Sequence, residues 1–134
     1  MFWSTKRVLA HASATAFSRH GVYEGQQYVL SCLWEEDGLA PGEVAKRLGL
    51  TTATVTRATA RMEAAGLLRR EPHERDGRLV RLVLTERGRA LEQVIGREMD
   101  QLSERALSAL DQSERAALVR TLHGIRRSLV ERQD

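Results

Sequence analysis

The chain has 134 residues, with 19 Arg and 2 Lys against 18 acidic side chains, a formal net charge of +3. That length makes one small domain or one subunit of a shared core. Its single cysteine, Cys32, excludes an internal disulfide, and no apolar run nears the roughly 18–20 residues that cross a bilayer. Lys6 and Arg7 precede no apolar stretch of the secretory kind, so the expectation is a soluble, cytoplasmic protein.

The charge is unevenly placed. Residues 1–40 sum to −1, residues 41–89 carry eleven basic and six acidic side chains, and residues 90–134 sum to −1. A local surplus of +5 favours contact with a polyanion, although a solvated surface also accommodates such charges.

In chain order, residues 3–19 are rich in Ala and Ser without Gly or Pro, which predicts a helix with a thin apolar stripe of Val8, Leu9, Ala12 and Ala16. After Gly21 and Gly25, residues 26–36 place Val29, Leu30, Leu33 and Trp34 at helical spacing, and Asp37-Gly38 ends that helix. Pro41 stands at the start of a third helix reaching Leu48, a position where its missing N–H costs nothing. Gly49 suits the left-handed stop. Thr51 or Thr52 caps a fourth helix to Ala65, closed by Gly66. Residues 67–71 and 79–84 read as strands, the second with Leu82 and Leu84 alternating with Arg81 and Val83. Thr85 caps a fifth helix to about Leu107, and Asp111 with Glu114 forms a capping box for a sixth, reaching about Arg132.

Helices three and four have helix-turn-helix spacing. Ala45 lets the two helices approach, Gly49 turns the chain, and Val55 buries with Val44, Leu48 and Leu50. On the fourth helix Val55, Thr59 and Met62 form the buried side at 3.6-residue periodicity. Ala53, Thr54, Arg57, Ala60 and Arg61 then face outward. Small residues admit a helix to the major groove, threonine offers donor, acceptor and methyl, and arginine reaches guanine or phosphate. The helix start at Thr51 and Thr52 adds free N–H groups for a phosphate. Between the strands, the tip Glu74-Arg75-Asp76-Gly77-Arg78 carries arginines suited to a narrow minor groove. Asp-Gly favours a tight reversal there, and Asp76 is expected to orient Arg75 or Arg78. The candidate DNA-binding residues are therefore Thr52, Ala53, Thr54, Arg57, Arg61, Arg75, Asp76 and Arg78.

The outer helices bear on assembly. Leu91, Val94, Ile95, Leu102, Leu107 and Leu110 mark apolar positions on the fifth helix. Leu118, Leu122, Ile125 and Leu129 form a seam on the sixth. Such stripes can pack within one subunit, but two long amphipathic arms beyond a module with its own core are most simply covered by a second copy.

The order of these motifs resembles the MarR family of winged-helix regulators. The resemblance is carried by Gly42-Glu43-Val44-Ala45-Lys46-Arg47-Leu48, Thr54-Val55-Thr56-Arg57 and Met62–Arg70. Arg75-Asp76-Gly77-Arg78 followed by Leu82-Val83-Leu84-Thr85-Glu86-Arg87-Gly88 is its most specific part. It implies a mainly α fold of six helices with a small β-hairpin wing, in a homodimer with the first, fifth and sixth helices interleaved. On that pattern residues 1–25 are a dimerisation helix, 26–88 the winged helix-turn-helix and 89–134 dimerisation helices. It also implies sequence-specific binding to a near-palindromic double-stranded operator, and repression relieved by a small, often phenolic or anionic, ligand. The chain departs from the family pattern before the second helix, where Val22-Tyr23-Glu24-Gly25-Gln26 replaces Leu-Thr-x-x-Gln, and at Gly77, where some members carry a further wing arginine.

Other signals are bland. Cys32 reads as a small buried residue, with oxidant sensing as the alternative. His11, His20, His73 and His123 lack metal-ligand spacing; a zinc site of His11 or His20 with Cys32 and Glu24 is the alternative. Trp3, Trp34, Tyr23 and Tyr28 are core, dimer or effector contacts. No phosphate loop and no nucleophile–base set appears, so the expectation is a protein with no catalytic residues, metal or cofactor. The competing class is a winged-helix protein-interaction module.

Overall fold

The structure is a computed structural model that describes residues 1–23 and 25–131. Its elements are α1 (Phe2–Ser18), α2 (Gln26–Glu35), α3 (Pro41–Leu48), α4 (Thr52–Ala64), β1 (Leu68–Pro72), β2 (Val80–Leu84), α5 (Glu86–Ala106) and α6 (Gln112–Val130). Two compact units comprise residues 1–99 and residues 100–134. The fold is mainly helical, with one two-stranded antiparallel sheet.

The first unit holds the core. Phe17 from α1, Val29, Leu30 and Leu33 from α2, Val44 and Ala45 from α3, and Val55 and Met62 from α4 meet Leu67, Leu68, Leu82 and Leu84 around the sheet and Leu91 and Ile95 from α5. Two glycines end α3 and α4. Gly49, at φ 66°, lets the Leu50 N–H donate to the Ala45 carbonyl at 2.9 Å. Gly66, at φ 77°, lets the Leu67 N–H donate to the Met62 carbonyl at 3.0 Å. Both arrangements satisfy carbonyls left over by the last helical turn.

Helix α5 starts where the sequence placed its cap. The Thr85 hydroxyl accepts the Gly88 N–H at 3.1 Å and donates to the Gly66 carbonyl at 2.6 Å, so one side chain caps α5 and ties it to the end of α4. The Trp34 indole N–H donates to the Gly88 carbonyl at 2.9 Å, adding α2 to the same junction.

Two expectations need correction. Leu50 is 48% exposed, so it follows the turn without joining the helix-turn-helix core. Val83 is buried together with Leu82 and Leu84, so β2 does not alternate. A strand with both faces covered loses that alternation. β2 also gains a second backbone neighbour, since Gly38 donates to the Leu82 carbonyl at 2.9 Å and Leu82 donates to the Leu39 carbonyl at 2.8 Å. The tight reversal expected at Asp-Gly is present: the chain turns through Asp76–Leu79, where the Leu79 N–H reaches the Asp76 carbonyl at 3.0 Å, with Gly77 outside the left-handed region.

In the second unit α6 opens with the expected capping box. Asp111 accepts the Glu114 N–H at 2.8 Å and Glu114 accepts the Asp111 N–H at 3.1 Å. Arg115 closes the preceding turn by donating to the Leu107 and Leu110 carbonyls and to Glu104. Helix α6 buries no residue, and Leu122 and Leu129 of its seam are exposed. The expected end at Arg132 lies outside the described residues.

Candidate nucleic-acid interface

Thr51 is the residue that caps α4. Its hydroxyl accepts the Thr54 N–H at 3.2 Å and lies 2.8 Å from the Thr54 hydroxyl. Thr54 is therefore half-buried and partly committed, whereas Thr52, Ala53, Arg57 and Arg61 are exposed. The buried side of α4 is Val55, Thr59 and Met62, as the periodicity predicts. Thr59 is polar but satisfied, donating to the Val55 carbonyl at 2.8 Å. The outer face thus carries small residues near its start and two guanidiniums farther along, without a carboxylate pairing with either among the described residues.

The wing presents the second group of arginines. Arg78 is the most open of the ion-paired cations, with its side chain 92% exposed. Asp76 accepts both the Arg78 backbone N–H at 3.1 Å and the Arg78 Nε–H at 3.4 Å. That pair is the one the sequence offered as an orienting contact, and it selects Arg78 over Arg75. Arg75 is exposed, and its backbone N–H donates to His73 Nδ1 at 3.1 Å. An exposed Arg–Asp pair contributes little stability. Its effect is to hold a flexible side chain pointing out from the turn.

Two carboxylates that the sequence reading passed over lie at the base of the wing. Asp37 accepts the Leu84 N–H at 2.9 Å, and Glu63 accepts the Arg70 N–H at 2.8 Å. In the sequence Asp37 marks a helix stop, and Glu63 falls within the Met62–Arg70 stretch. The signal available was weak: each acid stands near an element end facing a strand edge whose N–H groups need acceptors.

Cys32 is buried, and burial, the largest influence, pushes its thiol above the usual cysteine range despite the opposing charge of Arg47. A thiol held in that form is a poor oxidant sensor. Trp34 packs against the core, while Trp3, Tyr23 and Tyr28 are exposed. Among the described residues no three His, Cys, Asp or Glu side chains gather as a metal site; Glu24 lies outside them. Nor, among them, is any helix long and apolar enough to cross a membrane.

Residues 22–80 match the model of the MarR family. The regulator TtmR of Methylorubrum extorquens is 40% identical over 86 residues, which are 61% of this chain but only 44% of TtmR. The chain therefore spans less than half the length of that relative. A MarR transcriptional regulator from Methanosarcina mazei superposes with a TM-score of 0.81 at 22% identity, covering 97% of this chain and 96% of that one. A MarR family regulator from Listeria monocytogenes, solved in complex with a 26mer DNA, superposes at 0.78 with 22% identity over 97% of this chain and 87% of its own. Over residues 22–80 the chain is similar to the MarR family. The matched stretch contains every candidate contact residue named above.

Proposed function

We propose that two copies of this chain form a cytoplasmic homodimer that binds a near-palindromic double-stranded DNA operator and represses transcription. Helix α4 enters a major groove, with Arg57 and Thr54 reading bases and Thr52, Ala53 and Arg61 fitting or positioning the helix. Arg78 and Arg75 enter the flanking minor groove, and Asp76 holds Arg78 in place. The observation that carries this reading is the pairing of a small-then-basic outer face on α4 with a wing arginine 92% exposed and braced by Asp76. Dimer symmetry sets two half-sites about one helical turn apart, ~10 bp. The reading includes no enzymatic activity and no cofactor.

Functionally, residues 26–88 contact DNA, while residues 1–25 and 89–134 supply the dimer surface. Support for the dimer comes from apolar side chains left open on separate elements: Phe2, Trp3, Val8 and Leu9 on α1, and Val119, Leu122, Leu129 and Val130 on α6. A 19-residue helix that buries nothing has too little packing to hold its own conformation in water.

We place effector release, on this reading, in a groove beside α4. A groove of about 390 Å³ lies between the segment holding Tyr23 and Gln26 and the α4 residues Ala58 and Arg61. A small anionic aromatic molecule there would draw Arg61 away from DNA.

A mobility-shift titration with the DNA upstream of the chain's own gene, beside random duplex, tests the proposal. Preferential binding of a dimer to the upstream fragment is expected. A monomer indifferent to DNA at low ionic strength would overturn it, and capture of a protein partner without DNA binding would favour an interaction module instead.

A further inference from the structure

The wing's sheet has only two strands, so each strand has an outer edge whose N–H groups point away from its partner. Each edge is closed in part by a carboxylate, one from the turn after α2 and one from α4. On β2, backbone bonds reach Gly38 and Leu39 from Leu82, and beside them Asp37, in the turn after α2, takes the Leu84 N–H on its carboxylate at 2.9 Å. The same oxygen accepts the Gly38 N–H at 3.0 Å, and the other lies 3.4 Å from Arg89 on α5. On β1, Glu63 of α4 takes the Arg70 N–H at 2.8 Å.

A third contact reaches toward the tip. Arg81 of β2 lies 3.4 Å from Glu74, the residue before Arg75. Its guanidinium covers Gly38, where an added Cβ would stand 3.0 Å from Nη2. Gly38 sits at φ 82°, so that cover depends on glycine.

We propose that Asp37 and Glu63 are positioning residues for the wing: together they fix the stance of the hairpin against α2 and α4, and so fix where Arg78 falls when α4 lies in its groove. The inference rests on the DNA-binding reading above. Neither carboxylate needs to touch DNA. Each substitutes for a missing strand, and a charged acceptor makes a stronger bond to a backbone N–H than a neutral one.

The test compares Asp37→Ala, Asp37→Asn and Glu63→Ala with Arg78→Ala in the full-length protein, using operator affinity at several salt concentrations and hydroxyl-radical footprinting. Asp37→Ala and Glu63→Ala are expected to weaken binding about tenfold and to lower the salt slope by about one per subunit, as loss of a wing phosphate contact would. Protection should fade in the minor-groove flanks and persist over the major-groove positions. Asp37→Asn, which keeps an acceptor for Leu84, should restore most of the affinity. Combining Asp37→Ala with Arg78→Ala should add little to Arg78→Ala alone, because both remove one contact. Uniform loss of protection across both grooves, additive losses in the double variant, or equal effects of Asn and Ala would each overturn the assignment.

Amide hydrogen exchange in the free protein reads the same clamp without DNA. Exchange at Leu84 and Gly38 should quicken in Asp37→Ala and at Arg70 in Glu63→Ala, while α3 amides keep their protection. Unchanged exchange would overturn the clamp itself. Wild-type protein that binds no duplex while showing the expected exchange pattern would sink the DNA-binding reading and leave the clamp standing.

Discussion

Gly88 in the first turn of α5 is a demanding place for even one methyl group. A Cβ built there would lie 2.1 Å from the Leu67 carbonyl oxygen and 3.1 Å from Leu84 Cδ2. The first contact is with backbone, so no rotamer change relieves it. That oxygen also accepts the Thr85 N–H at 3.1 Å, and the Gly88 carbonyl accepts the Trp34 indole. Gly88→Ala must therefore push α5 away from the start of the wing, stretching both bonds and the Thr85 cap. Overpacking costs about 1–3 kcal/mol and each compromised hydrogen bond about 1 kcal/mol, against a helix-propensity gain of about 1 kcal/mol for Ala over Gly. The expected net is a loss of about 2–3 kcal/mol, from those ranges. Urea unfolding at fixed protein concentration measures it, since a dimer's stability depends on concentration. Gly96 of the same helix has nothing within 4 Å of its added Cβ and serves as the control. Gly96→Ala should gain about 0.5–1 kcal/mol. Equal midpoints for Gly88→Ala and the wild type would refute the close approach of α5 to Leu67.

Arg78→Ala should weaken binding on specific and random duplexes alike and flatten the salt dependence, read by fluorescence anisotropy across a salt series; unchanged affinity removes the wing from the mechanism. Arg57→Ala should cost about 1–3 kcal/mol on the operator and much less on random DNA, and equal losses on both would contradict a base-reading role. Glu98 tests a different contact: hydrogen bonds from His20 at 2.8 Å and Arg19 at 2.9 Å hold its carboxyl below the usual glutamate range. Because the folded value is lowered, the stabilisation is full above about pH 4.3, the unperturbed glutamate value, and fades as pH falls through the lower folded one. The stability gap between wild type and Glu98→Gln should accordingly be largest near neutrality and close in acid; a gap that widens on acidification would reverse the sign.

The elements were legible because their ends are written in residue types with one dominant use. Thr51, Thr85 and the Asp111–Glu114 pair cap helices where they were expected to, and Gly49 and Gly66 take the left-handed conformations that end α3 and α4. What escaped depends on chain segments far apart in sequence. Val83 is buried although strand alternation turns it outward, and Leu82 bonds to a stretch more than forty residues earlier. Leu50 could not be placed by pattern because an apolar residue just past a turn is as easily exposed as buried. Phe17, among the most buried aromatics, gave no signal within the weak stripe of α1. At the candidate interface the arginines stood out by charge, but nothing local distinguished Asp37 or Glu63 from other surface acids. Their roles follow from a strand edge meeting a helix end, a relation that exists only after folding.

The same geometry bears on why the wing can be so polar and still hold its shape. The tip residues Glu74, Arg75, Gly77 and Arg78 are all exposed, so burial cannot fix them. Order has to come from below, where Leu68 and Leu84 pair across the strands and are buried, and from local bonds such as Asp76 to the Arg78 backbone. Gly77 contributes no conformational need there: it lacks a left-handed φ, and a Cβ on it would meet nothing within 4 Å. The rigid part of the wing therefore ends at its strands, and the arginines ride on a short turn braced at one residue. On the proposed reading, such a tip would adjust to variation in minor-groove width while its base stays fixed relative to α4, and sequence choice would be left mainly to the major groove, where α4 is held on one whole side by the core.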